Sequence, residues 1–384
     1  MGARSWHWGR VPRFPKVPSD ATRLGARALN RALLARQGLL ARLPRRAPAT
    51  LERLIGLQAQ NTASPYVALW SRLDGFRVED LSRLLRTRRA VRLALFRSTV
   101  HLVTARDALA LRPAVQPAIE RALMASQYGR RLRGVDLPAL ADAGRALLDR
   151  EPLTASQLGE RLAPRFPGVD SEAIGYALRG HLALVQLPPR GVWGEGGPPR
   201  CATLESWLAR AIGEGASQQA LLLRYLAAFG PATAADFQAW SGARGGRALV
   251  EGLRSRLRVF VDERGLELYD VPRAPLPDPD TPAPVRFLPE YDNAFIAHAD
   301  RARIVAPADL ARMRAGNGFL SPFLVDGFVA GTWKIDVEPT RATLTLRPMG
   351  KLSAGARVEL EDEGARLLAL FAPEASRADV RFAR

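Results

Sequence analysis

The sequence has 384 residues, of which 47% are hydrophobic and 24% are charged, and its formal net charge is +18. This composition excludes a disordered chain, and no apolar run has the length of a membrane span or the position of a signal-peptide core, so we expect a cytoplasmic protein. The single cysteine, Cys201, excludes an internal disulfide, and the four scattered histidines show no zinc-ligand spacing, so we predict neither a metal nor another cofactor.

The positive charge is concentrated towards the N-terminus. Residues 1–133 contain 26 Lys and Arg against 7 acidic residues, whereas residues 134–384 contain 30 against 31. GC-rich coding would explain arginine in place of lysine, but it would not explain this uneven distribution. Arginine side chains neutralise backbone phosphates and release counterions. We therefore predict a nucleic-acid-binding surface, with an anionic membrane or a protein partner as the alternatives.

A basic arm at residues 1–21 precedes the first predicted unit, residues 22–105. Apolar residues recur at helical spacing in three segments of this unit, of which the second continues through Leu57 and the third spans residues 78–87. Residues 92–103 then indicate a pair of strands. Three helices followed by a two-stranded ribbon are typical of a winged helix-turn-helix.

A second winged helix is predicted at residues 106–215. Its first helix spans residues 136–149, and a candidate recognition helix spans residues 171–182. A wing hairpin is expected to join residues 184–187 to residues 192–193. The second unit therefore repeats the pattern of the first.

The third winged helix, residues 216–275, has the clearest pattern. It ends in a predicted hairpin that joins residues 259–261 to residues 266–269. Residues 272–284 contain six prolines and are expected to form an extended linker.

The last predicted domain, residues 285–384, is rich in β-strands. Residues 327–337 and 341–347 indicate a hairpin, and residues 360–371 indicate a closing helix. The whole pattern predicts an α+β protein with three tandem winged helices and a β-rich C-terminal domain.

Gln58 and Gln60 are the candidate catalytic residues. Two neutral amides can hold a water molecule but cannot act as a strong base, which suits hydrolysis of a bond whose leaving group departs easily. The pattern places them at the end of the second helix, where residues i and i+2 point about 200° apart. Both can reach one water only if the helix ends there, as the polar residues 61–65 indicate. The alternative is that both are exposed polar residues of an amphipathic helix.

Arg97, Thr99 and His101 form a second polar motif. In a strand they would share one face and could line a basic groove. The alternative is a half-exposed strand in which a backbone carbonyl binds His101. Further along the chain, Asp292 and Arg301 are expected to form a buried ion pair, with a catalytic carboxylate as the alternative.

Five motifs, in this order, together resemble the winged-helix DNA glycosylases of the AlkZ/YcaQ type over about residues 22–372. They are Gly-Leu-Gln-Ala-Gln at 56–60, Arg-Ser-Thr-Val-His-Leu-Val at 97–103, Phe-Gly-Pro-Ala-Thr at 229–233 with Asp236, Phe237 and Trp240, Phe-Leu-Pro-Glu-Tyr-Asp at 287–292, and Gly-Thr-Trp at 331–333. No single motif is specific, and the resemblance rests on all five occurring in the family's order.

The resemblance implies a C-shaped body with a concave DNA-binding face. It also implies excision of bulky N-alkylated purines and unhooking of interstrand crosslinks. The family's Gln-apolar-Gln motif maps onto Gln58 and Gln60, which places the chain in the AlkZ-like branch. The candidate DNA-binding residues are Asn61, Arg89, Arg92, Arg97, Thr99 and His101.

The expected chemistry follows from the charge of the damaged base. A purine alkylated at N7 is cationic and leaves as a neutral base, so the reaction needs no general acid. The scarcity of lysine, limited to Lys16, Lys334 and Lys351, argues against a β-lyase. We expect a monomeric, monofunctional glycosylase of base excision repair that acts on double-stranded DNA containing alkylated purines. The alternatives are a non-catalytic winged-helix transcriptional regulator, and a scaffold whose basic face binds a protein or membrane.

Overall fold

The computed structural model describes residues 22–44, 46–316 and 318–383. The predicted basic arm at residues 1–21 lies outside the described residues. The chain has a mixed α/β fold that contains two five-stranded sheets. Within the described ranges, no helix has the length and apolar character that crossing a bilayer requires.

The first part of the chain combines helices with a short strand ribbon. Its elements are β1 Arg23–Leu24, α1 Ala26–Gln37, α2 Ala47–Arg53, β2 Leu57–Gln58, α3 Ser64–Arg72, α4 Val78–Arg86, β3 Ala90–Ala94 and β4 Val100–Thr104. Helix α4 buries Leu81, Leu84 and Leu85 and exposes its charged face, as its amphipathic pattern predicted. The antiparallel pairing of β3 with β4 confirms the predicted strand pair.

The second helix is shorter than its apolar pattern predicts. It ends at Arg53, because Ile55 and Gly56 adopt the left-handed backbone conformation, with φ values of 56° and 83°. A side chain at Gly56 would place its Cβ 2.4 Å from Val103 Cγ1 and 2.9 Å from the Leu102 carbonyl oxygen, so this close turn requires glycine. Leu57 then lies in β2. The prediction that the glutamine pair lies at the end of the second helix is therefore wrong.

The second part of the chain begins with a helix of 21 residues. Its elements are α5 Ala105–Ala125, α6 Gln127–Arg131, α7 Leu137–Leu148, α8 Ala155–Leu162, α9 Ser171–His181, β5 Leu184–Gln186, β6 Cys201–Thr203 and α10 Leu204–Leu208. Helices α7 and α9 confirm two predicted helices, and Asp170 caps α9 by accepting a hydrogen bond from the Ala173 amide. The second strand of the wing hairpin, predicted at residues 192–193, is wrong, because β5 pairs with β6 instead.

One sheet joins the residues of the first two predicted units. Its strand order is β2-β4-β3-β5-β6, and every neighbouring pair is antiparallel. The link between the units is the pairing of β3 with β5, in which Leu93 lies opposite Val185. This order leaves β2, which contains Gln58, at one edge of the sheet.

The third part of the chain forms a compact aromatic core. Its elements are α11 Gln218–Phe229, α12 Ala234–Ser241, α13 Gly246–Leu253, β7 Arg258–Asp262 and β8 Glu267–Asp270. The β7–β8 hairpin confirms the prediction, and β1 from the start of the chain adds to it in parallel. The Trp240 ring lies 4.0 Å from the ring of Phe96, between centroids, so this core packs directly against the turn between β3 and β4.

The C-terminal part is built on the second five-stranded sheet, in the order β15-β14-β13-β12-β9. Its elements are β9 Arg286–Phe287, α14 Asn293–Ile296, β10 Arg314–Ala315, β11 Gly318–Phe319, β12 Ser321–Val325, β13 Phe328–Val337, β14 Arg341–Pro348, α15 Ala354–Phe371 and β15 Arg377–Phe382. The predicted β13–β14 hairpin is confirmed. Helix α15 covers the sheet and begins before the predicted start at residue 360, because Ser353 caps it.

Buried ion pairs connect these parts. Arg72 of α3 donates from Nη2 to Asp292 Oδ1 at 2.6 Å and from Nη1 to Asp292 Oδ2 at 2.8 Å, and both side chains are fully buried. The predicted pairing of Asp292 with Arg301 is therefore wrong. The carboxylate of Asp292 also caps α14, so both of its oxygens have structural partners.

Candidate active site

An edge strand brings Gln58 and Gln60 together. Gln58 lies opposite His101 of β4, and the next backbone amide, that of Ala59, donates to the Val100 carbonyl at 2.8 Å. In extended backbone, residues i and i+2 point to the same side. Gln58 Nε2 donates to Gln60 Oε1 at 2.6 Å, with Gln58 buried and Gln60 exposed. The two amides meet because the chain is extended here.

Two buried side chains hold the backbone of this strand. Asn293 Nδ2 donates to the carbonyls of Leu54 and Gly56 at 3.0 and 2.8 Å, which fixes the left-handed turn before Gln58. Arg92 Nη2 donates to the Ala59 carbonyl at 2.8 Å, between the two glutamines. Arg92 is only 2% exposed, so its guanidinium supports the strand from inside and is not presented to DNA as the sequence analysis expected.

Arg97 lies in a tight turn and not in a strand. Arg97 and Ser98 both have left-handed backbone, with φ values of 54° and 57°, and β4 begins only at Val100. The prediction that Arg97, Thr99 and His101 share a strand face is therefore wrong. Left-handed backbone is unfavourable for residues other than glycine, so contacts with surrounding residues must hold it in place. Arg179 of α9 supplies one of these contacts, donating from Nη2 to the Ser98 carbonyl at 2.8 Å.

The guanidinium of Arg97 orients the amide pair. Its Nη2 donates to Gln58 Oε1 at 2.8 Å, and its Nη1 donates to the Trp240 carbonyl at 2.6 Å. Because guanidinium can only donate, the oxygen of Gln58 must face Arg97, and its NH₂ group then faces Gln60. Burial, with a smaller contribution from the charge of Arg301, lowers the pKa of Arg97 to about 10, so it remains a cation at neutral pH.

His101 is buried behind the pair. Its Nδ1 lies 2.9 Å from the Thr99 carbonyl, so the backbone partner of the alternative prediction is present. The half-exposed strand of that alternative is not, because His101 is only 2% exposed. Burial and the nearby charge of Arg97 lower the pKa of His101 to about 3. The imidazole is therefore neutral at physiological pH, and its Nδ1–H donates a hydrogen bond to the Thr99 carbonyl.

The remaining candidate residues lie at different distances from the pair. Asn61 directly follows it, is exposed, and lines a cavity of about 190 Å³ together with Trp333 and Lys334. Thr99 donates from Oγ1 to the Phe96 carbonyl at 3.1 Å and so closes the turn that holds Arg97. Arg89 is exposed but precedes β3, at the end of the β3–β4 hairpin opposite to the turn. The structure does not bring it to the glutamines.

Sequence reasoning missed two arginines that the fold brings to this turn. Arg179 comes from α9 in the second part of the chain, and Arg301 comes from the loop after α14 in the last part. Arg179 stands next to no motif that singled it out, and Arg301 was named only as the expected partner of Asp292. The side chains near the glutamines thus include amides, arginines and a neutral histidine, and the described part of the chain contains no cluster of His, Cys, Asp or Glu that could hold a metal ion.

Comparison with known proteins identifies the family. Residues 51–370 match the sequence model of the AlkZ-like DNA glycosylases. The chain belongs to this family. The structure is similar to that of Streptomyces sahachiroi DNA glycosylase AlkZ, with a TM-score of 0.77, 18% sequence identity, and coverage of 94% of this chain and 100% of that chain. No curated protein sequence matches the chain.

Family membership makes the chain a DNA glycosylase, which hydrolyses N-glycosyl bonds in DNA. It does not favour the alternative of a non-catalytic regulator. The structural likeness, at 18% identity, adds that the fold is shared over nearly the whole chain. The matched residues include the glutamine pair and the turn of Arg97.

Proposed function

We propose that this glycosylase excises bulky N7-alkylated purines from double-stranded DNA, with Gln58 and Gln60 as its catalytic residues. The observation that supports this most directly is the hydrogen-bonded chain from Arg97 through Gln58 to Gln60, which ends at an exposed amide. Such a chain fixes the orientation of the last amide before substrate arrives, and preorganised dipoles are effective in catalysis.

The chemistry requires little from the protein beyond this. A purine alkylated at N7 is already cationic, so its departure needs no proton donor, and positive charge develops on the sugar. Gln60 Oε1 accepts one hydrogen bond from Gln58 and keeps a second lone pair. That lone pair can accept a hydrogen bond from the attacking water or face the positively charged sugar carbon.

The histidine and the carboxylate that could act as stronger acids or bases already have structural partners. His101 is neutral and bonded to backbone, and the Asp292 carboxylate is paired with Arg72. The proposed site therefore suits substrates that are activated by their own charge. It would act poorly on undamaged purines, whose departure needs protonation.

The position of Gln60 supports bulky substrates and crosslinks. The residue is exposed and follows directly on an edge strand, rather than lying at the bottom of a closed pocket. A bulky or crosslinked base is difficult to rotate into a tight pocket. We therefore extend the proposal to unhooking of interstrand crosslinks.

We also propose that the enzyme has no lyase activity. Lys334 is the lysine on the cavity that Asn61 lines, and it is exposed and ion-paired with Asp336 at 2.5 Å. A lyase would form an imine between a lysine and the abasic sugar, which borohydride reduces to a stable crosslink. We expect no such crosslink with abasic DNA, and a crosslink that Lys334→Arg abolishes would contradict the proposal.

The decisive experiment replaces Gln60 by alanine. Single-turnover excision from a duplex containing a bulky N7-alkylguanine, followed as alkali-labile sites, is expected to fall at least about tenfold, because the water loses its acceptor. Affinity for undamaged duplex should change little. Gln219→Ala, at an exposed position of α11, is the matched control. Equal rates for Gln60→Ala and wild type would remove Gln60 from the mechanism, and absence of alkali-labile sites with wild type would overturn the proposed substrate.

A further inference from the structure

Arg301 is a charged side chain that has neither a hydrogen-bond acceptor nor a carboxylate partner among the described residues. Its guanidinium carbon lies 4.6 Å from the ring centroid of Phe319 and 5.1 Å from that of Phe295. Its Nε is buried without a hydrogen-bond partner, and no carboxylate in the described part of the chain pairs with it. The aromatic rings restrain the guanidinium, and its N–H donors have no acceptor in the described ranges.

The rings that restrain Arg301 are themselves fixed. Phe319 of β11 makes edge contacts with Phe295 and Tyr291, at centroid distances of 5.1 and 5.8 Å. The chain comes so close to Tyr291 at Gly318 that a Cβ there would lie 2.7 Å from the phenol oxygen. Packing within the protein therefore fixes the aromatic platform that Phe295 and Phe319 form under Arg301.

A second arginine shares this platform. Arg314 of β10 lies opposite Phe319 in the β10–β11 hairpin, and its guanidinium carbon is 5.5 Å from the centre of the same ring. Arg314 is exposed and likewise has no carboxylate partner within the described ranges. Two guanidinium groups on one ring repel each other, and an anion bound between them would remove that repulsion.

The charge of Arg301 acts on both Arg314 and Arg97. Partial burial and the charge of Arg314 lower the pKa of Arg301, and the charge of Arg301 contributes to the lowered pKa of Arg97. Arg97 in turn donates a hydrogen bond to Gln58. Arg301 is therefore electrostatically coupled both to the arginine that orients the amide pair and to the β10–β11 hairpin.

We propose that Arg301 and Arg314 together bind one backbone phosphate of the DNA strand that carries the damaged base. This assignment rests on the proposed function, since it places the strand so that its sugar can reach Gln60. A phosphodiester suits the site because its two free oxygens can accept hydrogen bonds from two guanidinium groups at once. Neither residue is among the DNA-binding candidates from the sequence, and both come from the charge-balanced part of the chain.

The test measures how binding of a lesion-free duplex depends on salt. Each lost phosphate contact lowers the slope of log Kobs against log[salt] by about 0.9. We expect this decrease for Arg301→Gln and for Arg314→Gln, with no further decrease in the double variant, because both side chains serve one phosphate. Arg312→Gln is the matched control, since Arg312 is exposed nearby but is paired with Asp309. An unchanged slope in both single variants overturns the proposal, and Arg314 provides this test even if Arg301→Gln fails to fold.

A methylphosphonate scan of the lesion-bearing strand locates the phosphate. Neutralising one position should weaken binding by wild type and leave Arg301→Gln unaffected, whereas other positions should weaken both equally. Equal weakening of both proteins at every position would contradict a phosphate contact. Inorganic phosphate at constant ionic strength distinguishes a site for free phosphate, because competition at millimolar concentration without a methylphosphonate effect would overturn the DNA assignment.

The outcome is separable from that of the proposed function. If the slope depends on Arg301 but no bulky N7-alkylguanine is excised, the phosphate site stands and the proposed substrate fails. If excision depends on Gln60 while the slope does not depend on Arg301 or Arg314, the catalytic proposal stands and the phosphate site fails.

Discussion

Arginines in two regions of the molecule have opposite surroundings. Arg36 and Arg72 lie between the parts of the chain, fully buried, and each forms two hydrogen bonds with one carboxylate, that of Asp270 or Asp292. At the glutamine site, Arg97 contacts only an amide and a carbonyl oxygen, and Arg301 contacts only aromatic rings. The first group is neutralised by the protein, and the second is not.

This difference separates structural arginines from those available to a ligand better than a charge count does. Residues 1–133 carry the whole positive excess, yet Arg92 in that segment is buried and holds a strand. Residues 134–384 are balanced, yet they contribute Arg179 and Arg301 to the site. The presence or absence of a carboxylate partner, which depends on the fold, decides which charges remain for DNA.

The largest effect is expected where a neutralised arginine is removed. Arg72→Met leaves the Asp292 carboxylate buried without its partner, which should lower the free energy of unfolding by about 3–5 kcal/mol. Urea denaturation followed by circular dichroism measures this. Adding Asp292→Asn, which keeps the cap of α14, should recover much of the loss. If Arg72→Met lowers the free energy of unfolding by less than about 1 kcal/mol, the Arg72–Asp292 pair does not link the parts of the chain.

Removing an arginine that has no carboxylate partner should instead reduce the rate of base excision. Arg97→Met deprives Gln58 of the donor that fixes its orientation, and we expect excision to slow by about 100-fold. The salt slope of DNA binding should stay the same, because both terminal nitrogens of Arg97 already serve Gln58 and Trp240. Arg83→Met, at an exposed position of α4, is the control.

The positioning role of Arg97 can be tested through its partner. In a Gln58→Ala background there is no amide to orient, so Arg97→Met should slow excision little further. Additive effects of the two substitutions would contradict this role. A lower salt slope in Arg97→Met would instead assign the residue to the DNA contact that the sequence analysis expected.

Local signals in the sequence predicted much of the fold. The amphipathic face of α4, the helix α9 and the β13–β14 hairpin each depend on residues close together in the chain, and each is present. The pairing of β5 with β6 joins residues separated by a loop, and the loop sequence does not reveal it. The left-handed turn at Gly56 lies so close to Val103 and Leu102 that only glycine fits, and apolar spacing, which carries no such information, extended α2 too far.

The sequence singled out Gln58 and Gln60 but did not predict the geometry around them. The spacing of Gln58 and Gln60 is compatible with one shared water on either a frayed helix or a strand, and only the turn before them decides in favour of a strand. Alternation along β4 predicts the side of the sheet on which His101 lies, but it does not predict which residues pack against that side. The Phe96 ring packs edge-on against His101 and helps to bury it. Arg301 reaches the site only because α14 and its following loop fold back onto the first part of the chain.

The smallest effect concerns His101, which lies beside an unpaired arginine. Its pKa is about 3 in the folded protein and about 6.5 when unfolded, so below about pH 6.5 the unfolded chain binds a proton that the folded chain does not. Stability is therefore lost as the pH falls through this range, by about 2 kcal/mol between about pH 7 and pH 5. His298, with a pKa also lowered to about 3, should add a similar loss. Urea denaturation of His101→Asn at both pH values should show a smaller loss than wild type, by roughly the contribution of one histidine.

Arg97→Met should also reduce the loss, but by less, because burial is the main cause of the low pKa of His101 and the charge of Arg97 is the second. If the stability of wild type and of His101→Asn depends on pH in the same way, His101 binds its proton as readily in the folded chain as in the unfolded chain. A protonated imidazole beside Arg97, which has no carboxylate partner, would contradict the site described above.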